Sequence, residues 1–177
     1  MLLCCAGAAS ADVEGRLIGD RVFPAVVYAP DLPAQTAAPD TRARLRQVHL
    51  KFSPMVLPVL RGTTVEFTND DENAHNVFSP TASDEFDLGT FGRATRLHLF
   101  RDPGVHVVLC NVHVEMVAWV LVLKNPAFAS SDKDGLFRIK LPPGRHRLVL
   151  YRPRVVEVER TVDVPESGNL KLEWPAQ

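Results

Sequence analysis

The chain contains the heptapeptide Cys110-Asn111-Val112-His113-Val114-Glu115-Met116 between two apolar segments. A thiolate, an imidazole and a thioether are gathered in this stretch, and these are the soft and borderline ligands that copper prefers. Cys110 ends one predicted strand, His113 lies in the turn, and Met116 begins the next strand. We therefore expect these three side chains to converge on one metal site.

A second imidazole completes a ligand set. His75 lies in a polar turn that follows the predicted strand Thr63–Phe67. His75, Cys110 and His113, with Met116 as a weak axial ligand, match the donor set of a mononuclear blue-copper site that cycles between Cu(I) and Cu(II). Zinc fits this set less well, because methionine is a poor zinc ligand.

The periodicity of the chain is almost entirely of the strand type, which predicts an all-β fold built as a sandwich. A loop at Pro30–Pro39 and one short helix at Asp40–Arg46 are the expected exceptions. We expect strands at Val13–Ile18, Val22–Tyr28, Val48–Phe52, Met55–Leu60, Thr63–Phe67, Ala94–Phe100, Val105–Cys110, Met116–Leu123, Leu136–Ile139, Arg145–Tyr151 and Val155–Val164.

The charge balance excludes two classes of partner. The 177 residues include 20 Lys and Arg against 21 Asp and Glu, so no excess of positive charge is available for nucleic acid or an anionic membrane. The longest apolar run, Met116–Leu123, is far shorter than the roughly 20 residues that cross a bilayer, so we expect no transmembrane segment. The acidic run Asp70–Glu72 and the basic residues Arg42, Arg44 and Arg46 are interpreted as solvated faces.

The cysteines indicate the compartment. Residues 1–11 are apolar and end in Ala9-Ser10-Ala11, the small-x-small pattern that a signal peptidase accepts. Removing this signal remnant takes Cys4 and Cys5 with it and leaves Cys110 without an intrachain partner. A lone thiol in an oxidising compartment is commonly held by a metal, so we expect a periplasmic or secreted metal protein.

The middle of the chain resembles the cupredoxin family over about residues 47–124. Gly62–Asp71 followed by His75-Asn76-Val77 is similar to the cupredoxin strands that lead into the first histidine ligand. Pro103-Gly104-Val105 and Cys110–Met116 are similar to the closing strand and ligand loop of the family.

This resemblance implies a Greek-key sandwich and an electron carrier that passes electrons to redox partner proteins through the exposed edge of His113. It also suggests Asn76 as the residue whose hydrogen bonds tie the His75 loop to the Cys110 loop. The Cys-x2-His-x2-Met spacing is most similar to amicyanin loops, which carry prolines where this chain has Val112 and Val114. The reduction potential therefore does not carry over.

The flanking segments resemble a second family. Residues 12–46 and 125–177 look like the two halves of a carboxypeptidase-regulatory-like, transthyretin-type β-sandwich, into which the cupredoxin part is inserted. Bacterial methylamine-utilisation and plastocyanin-like proteins resemble the chain as a whole. Asp132–Gly135 shares a fragment of a calcium loop but lacks its bidentate acid, so we interpret it as a hairpin turn.

Three functions follow from these observations. The leading one is a one-electron blue-copper carrier that is not an enzyme. A copper carrier or sensor without electron transfer is the first alternative, and a small red-copper-like enzyme, with Glu115 joining the ligands, is the second. Glu115 is expected to face outward. His98 and His106 alternate with apolar strand residues, toward solvent or a half-buried face, and are interpreted as structural, as are His49 and His146.

Overall fold

The fold is described from a computed structural model of the chain, which describes residues 10–19 and 23–175. Cys4, Cys5 and most of the expected signal remnant lie outside the described residues, as does Val22 of one predicted strand. Ala11, the last residue of that remnant, begins the first strand and pairs with Leu141. Within the described residues no helix is long and apolar enough to cross a membrane.

The described residues form sixteen strands and no helix, which confirms the all-β prediction. They are β1 (Ala11–Ile18), β2 (Val26–Tyr28), β3 (Ala43–Val48), β4 (Lys51–Ser53), β5 (Val56–Leu60), β6 (Thr64–Asn69), β7 (His75–Ser79), β8 (Phe86–Phe91), β9 (Thr95–Leu99), β10 (Gly104–Leu109), β11 (Val117–Leu123), β12 (Phe128–Ser130), β13 (Leu136–Leu141), β14 (Gly144–Tyr151), β15 (Val158–Val164) and β16 (Leu170–Pro175).

The chain divides into two compact units. The central unit is continuous and spans Pro33–Pro126, whereas the outer unit combines the described residues up to Leu32 with those from Ala127 onward. The central unit is longer than the predicted cupredoxin part, residues 47–124. It also contains β3, because β3 pairs in parallel with β6 of the same unit.

The central unit is a β-sandwich. One sheet has the order β4-β3-β6-β9 and the other the order β5-β11-β10-β7-β8. Alternate residues of both sheets face inward and build a single core. Its members include Leu45, Phe67, Phe100, Val108 and Val120, and the same core contains Cys110 and Met116. Two of the four candidate ligands, Cys110 and Met116, therefore belong to the core of this unit.

The predicted helix at Asp40–Arg46 is wrong, because this segment contributes to β3. Leu45 and Gln47 are buried in the strand, whereas Arg44 and Arg46 face outward and form ion pairs with Glu66 and Asp70. Buried and exposed residues alternate here with the period of two that is typical of a strand. The residue types of this short segment are also compatible with a helix, but the alternation decides its structure.

The predicted strand Val48–Phe52 is interrupted. His49 and Leu50 form a two-residue turn between β3 and β4, with Val48 paired to Lys51. Both turn residues have positive φ, 54° and 56°, as a type I′ hairpin turn requires.

The outer unit has two further sheets, with the orders β13-β1-β16 and β12-β2-β14-β15. Its core includes Val13, Ile139, Leu148, Leu150 and Trp174. The likeness of this unit to a transthyretin-type sandwich stays a prediction.

The turn at Asp132–Gly135 is present but does not form a hairpin, because β12 and β13 lie in different sheets. One carboxylate oxygen of Asp132 accepts the backbone N–H groups of Asp134 and Leu136. That oxygen therefore serves the turn itself.

Gly15 in β1 fixes the position of an aromatic ring in the outer core. Gly15 is paired with Phe137 of β13, and a Cβ atom at Gly15 would lie 2.0 Å from Cζ of the Phe137 ring. The ring occupies the space that any side chain at Gly15 would need.

We predict that Gly15→Ala lowers the free energy of unfolding of the outer unit by about 2–3 kcal/mol, because the methyl group collides with a packed ring. The chain has two tryptophans, Trp174 in the outer core and Trp119 in the central unit. Urea titration of 5-fluorotryptophan-labelled protein, followed by ¹⁹F NMR, reports each unit separately.

Adding Phe137→Leu to Gly15→Ala should recover part of the loss at Trp174, because a smaller side chain leaves room for the methyl group. An unchanged Trp174 midpoint in Gly15→Ala would show that the ring moves away without cost.

Candidate metal centre

Three of the four predicted ligands meet in space. The side chains of His75, Cys110 and His113 each offer one ligand atom, and these atoms all lie within 4.8 Å of one another. His75 and Cys110 are buried, whereas His113 is half-buried. The fold thus brings His75 next to Cys110 and His113, which lie 35 and 38 residues further along the chain.

The segment that carries Cys110, His113 and Met116 is held at both ends. Cys110 directly follows β10 and Met116 directly precedes β11, and these strands pair up to Leu109 and Val117. The N–H of Met116 donates to the carbonyl oxygen of His113 at 3.0 Å, which closes a β-turn between the two residues. Met116 is 1% exposed and lies in the same core cluster as Cys110; its thioether as an axial ligand stays a prediction.

His75 lies on a strand and not in the polar turn that the sequence suggested. It is the first residue of β7 and pairs with Phe91 of β8. The pairing register then shifts between Asn76 and Phe78, where Leu88 and Gly89 together oppose Val77 as a β-bulge. Gly89 has a φ of 72°, in the left-handed region that favours glycine. Bulges of this kind redirect the side chains beside them.

The hydrogen bonds of His75 define which nitrogen faces the site. Its Nε2 lies 2.9 Å from Oδ2 of Asp71, and because a carboxylate only accepts, Nε2 carries the proton. The other nitrogen, Nδ1, lies 2.9 Å from Nδ1 of His113. When His75 is neutral, its Nδ1 therefore carries a lone pair and accepts the Nδ1–H of His113. This lone pair is the one that a metal ion would take.

Asp71 is a neighbour of the three-residue group that the sequence did not indicate. The acidic run was predicted to be a solvated face, which is correct for the exposed Glu72 but wrong for Asp71, whose side chain is only 12% exposed. Its carboxylate accepts the backbone N–H groups of His49 at 2.6 Å and Leu50 at 3.0 Å in addition to His75.

Burial raises the pKa of Asp71, but the hydrogen bonds from Leu50, His75 and His49 outweigh it and hold the pKa below its usual range. The carboxylate is thus kept ionised. Its only sequence signal was an aspartate four residues before a candidate ligand histidine.

Asn76 was predicted to form hydrogen bonds with the Cys110 loop, but its side-chain nitrogen donates elsewhere. Asn76 Nδ2 donates to Oδ1 of Asp87 at 2.8 Å, and the same oxygen accepts the N–H of Gly89 at 2.8 Å. Asn76 therefore braces the bulge next to His75. A second buried amide, Asn69, holds the loop between β6 and β7 by donating to the carbonyl oxygens of Asn73 and Phe91.

The other histidines of β9 and β10 have their own partners away from the three-residue group. His98 stacks on Phe86 and contacts Asp84 at 3.1 Å. His106 is fully buried, more deeply than its strand pattern predicted, and its Nε2 lies 2.8 Å from the carbonyl oxygen of Asp102. Glu115 is exposed and is not part of the group of donor atoms.

The donor set fits copper. One thiol sulfur and two imidazole nitrogens are the ligands that a soft, nitrogen- and sulfur-preferring ion selects. Three donors that each lie about 2.0–2.3 Å from one ion are about 3.5–3.8 Å from one another. The donor atoms all lie within 4.8 Å and the two imidazole nitrogens are 2.9 Å apart, so they would surround one ion after shifts of about 1 Å or less.

No protein-family model matches the chain. No curated protein matches it. Solved structures do match parts of it. A purple cupredoxin from Nitrosopumilus maritimus is 27% identical, and the match covers 45% of this chain and 98% of that protein with a TM-score of 0.41.

A copper-containing nitrite reductase from Thermus scotoductus is 22% identical over 61% of this chain and 28% of its own length, with a TM-score of 0.44. An oxidised amicyanin variant is 22% identical over 54% of this chain and 97% of its own, with a TM-score of 0.43.

We predict that Gly89→Ala lowers the free energy of unfolding of the central unit by about 1–2 kcal/mol, because an L side chain is strained at a φ of 72°. Gly89→Asn should cost less, since asparagine tolerates the left-handed region. The ¹⁹F signal of Trp119 during urea unfolding measures both values.

Gly92→Ala is the matched control, because nothing lies within 4 Å of a Cβ atom there and its φ is not in the left-handed region. Equal losses in Gly89→Ala and Gly92→Ala would contradict the role of the bulge.

Proposed function

We propose that the protein is a type 1 copper protein that transfers one electron at a time and is not an enzyme. The observation that carries this proposal is the meeting of His75, Cys110 and His113 donor atoms within 4.8 Å at the edge of a packed core. A thiolate, two imidazoles and a nearby buried thioether form the donor set of blue-copper sites.

Copper bound there supplies a centre that gains and loses one electron. The chain supplies a site that is hard to deform. Cys110 and Met116 are 4% and 1% exposed and are fixed by flanking strands, while His75 is fully buried and bonded to Asp71. Such packing limits how far these ligands would move when the charge of the ion changes, and a small rearrangement favours fast electron transfer.

His113 is the proposed point of contact with redox partner proteins. It is the half-buried member of the group, and it lies between Val112, which is 48% exposed, and Val114, which is 88% exposed. This small apolar surface suits a brief encounter with another protein, because apolar contact forms without specific charge pairs. We further propose a periplasmic or secreted location, on the Ala9-Ser10-Ala11 pattern and the unpaired buried thiol of Cys110.

The alternatives make different demands. A red-copper-like enzyme needs a carboxylate and an open position at the ion, whereas Glu115 is exposed and outside the donor group. A copper carrier or sensor would use the same residues, and reversible one-electron voltammetry separates it from an electron carrier.

We predict that the protein binds one equivalent of Cu(II) with intense visible absorption from thiolate-to-copper charge transfer and a narrow copper hyperfine splitting in the EPR spectrum. Cys110→Ser should abolish the absorption, because the hydroxyl group cannot supply the thiolate. His98→Gln, which changes a histidine outside the group, should retain it. A copper-loaded wild-type protein without this band would overturn the proposal.

We also predict that Met116→Gln lowers the reduction potential, because an amide oxygen stabilises Cu(II) more than a thioether does. Cyclic voltammetry measures the shift, and Met55→Gln is the control, since Met55 is an exposed methionine outside the core. Equal potentials in the wild type and Met116→Gln would remove Met116 from the predicted ligand set.

A further inference from the structure

Asp71 joins two parts of the central unit that are distant in sequence. Its Oδ1 accepts the N–H of His49, and its Oδ2 accepts both the N–H of Leu50 and Nε2–H of His75. Asp71 thus binds the β3–β4 turn through one set of hydrogen bonds and a candidate metal ligand through another. The N–H of Asp71 itself donates to Oδ1 of Asn69 at 2.9 Å, which fixes its backbone.

We propose that Asp71 is a positioning residue that couples the β3–β4 turn to His75, so that the turn holds this ligand in its binding orientation before any metal arrives. The copper measurements that test this inference rest on the proposed function, whereas the measurement on the metal-free protein does not. Asp71 acts through His75.

The turn itself supplies the first argument. His49 and Leu50 adopt φ values of 54° and 56°, although neither is the glycine or asparagine that a type I′ turn prefers. A side chain in the left-handed region costs about 1–2 kcal/mol per residue. The conformation points both N–H groups of the turn at one carboxylate, and these two hydrogen bonds offset the strain. Asp71 and the turn therefore stabilise each other.

Burial supplies the second argument. His75 is fully buried and the Asp71 side chain is 12% exposed, so water competes little for the hydrogen bond between them. With Nε2–H committed to Asp71, the lone pair of His75 faces His113. A carboxylate on the outer nitrogen of a ligand histidine fixes its tautomer and strengthens it as a donor, and loss of such a partner typically costs 10–100-fold in metal affinity.

The experiment compares Asp71→Ala with Asp70→Asn in the full chain. Asp70 is the neighbouring carboxylate and forms an ion pair with Arg46 at the surface, so it matches the charge change without touching His75. In the metal-free protein, two-bond ¹H–¹⁵N NMR correlations report the tautomer of each histidine ring. We expect one Nε2–H tautomer for His75 in the wild type and Asp70→Asn, and a mixture of tautomers in Asp71→Ala.

In the copper-loaded protein, we expect Asp71→Ala to bind Cu(II) 10–100-fold more weakly in a competition assay, and Asp70→Asn to stay within about 2-fold of the wild type. A second variant guards against a simple folding defect. Asp71→Ala combined with His49→Asn and Leu50→Gly introduces the preferred type I′ turn residues, so the turn should recover its stability without the carboxylate.

If the combined variant recovers stability but not affinity or the single tautomer, positioning by Asp71 is supported. A single Nε2–H tautomer and unchanged affinity in Asp71→Ala would overturn the inference. A wild type that lacks the thiolate–copper band would instead overturn the proposed function, while the metal-free tautomers of the same variants would still decide the role of Asp71.

Discussion

The antiparallel pairing of β10 with β11 is the constraint on which the candidate site depends. The pairing ends at Leu109 and Val117, so Cys110 and Met116 lie side by side at the ends of two neighbouring strands. β7 pairs with β10 at Phe78 and Leu109 and runs in the opposite direction. The residues that follow Leu109 therefore lie toward the beginning of β7, where His75 is located. Without these two pairings nothing would bring His75 next to Cys110, which lies 35 residues further along the chain.

The meeting of His75, Cys110 and His113 was predictable from sequence, whereas the hydrogen bonds that hold His75 were not. The spacing of Cys110, His113 and Met116 within one connection pointed to a metal site because a short connection between strands brings its ends together. His75 was predicted as the second imidazole of the donor set, and its donor atom does lie with those of Cys110 and His113. The polar residues Asn69–Asn73 before it suggested a turn, whereas His75 itself begins β7 and pairs with Phe91 of β8.

The errors share one physical cause. Asp71 looked like a solvated acid because its partners, the N–H groups of His49 and Leu50, belong to a turn that precedes it by about twenty residues. The segment before that turn was predicted to be a helix, but its arginines pair with Glu66 on β6 and with Asp70 directly after that strand. Hydrogen bonds and ion pairs between remote segments leave little local trace, whereas burial of alternate residues does, and most strands of the fold were accordingly predicted.

The ligands differ in how they are attached to the fold, and this has a consequence for loop exchange. Cys110, His113 and Met116 share one short connection, so insertions or substitutions between β10 and β11 alter several donors at once while the paired strands stay intact. His75 is instead bound into the sheet and to Asp71, and changes there disturb the scaffold. Exchange of this one short connection would therefore change three of the four candidate ligands together, whereas the anchored His75 would stay in place.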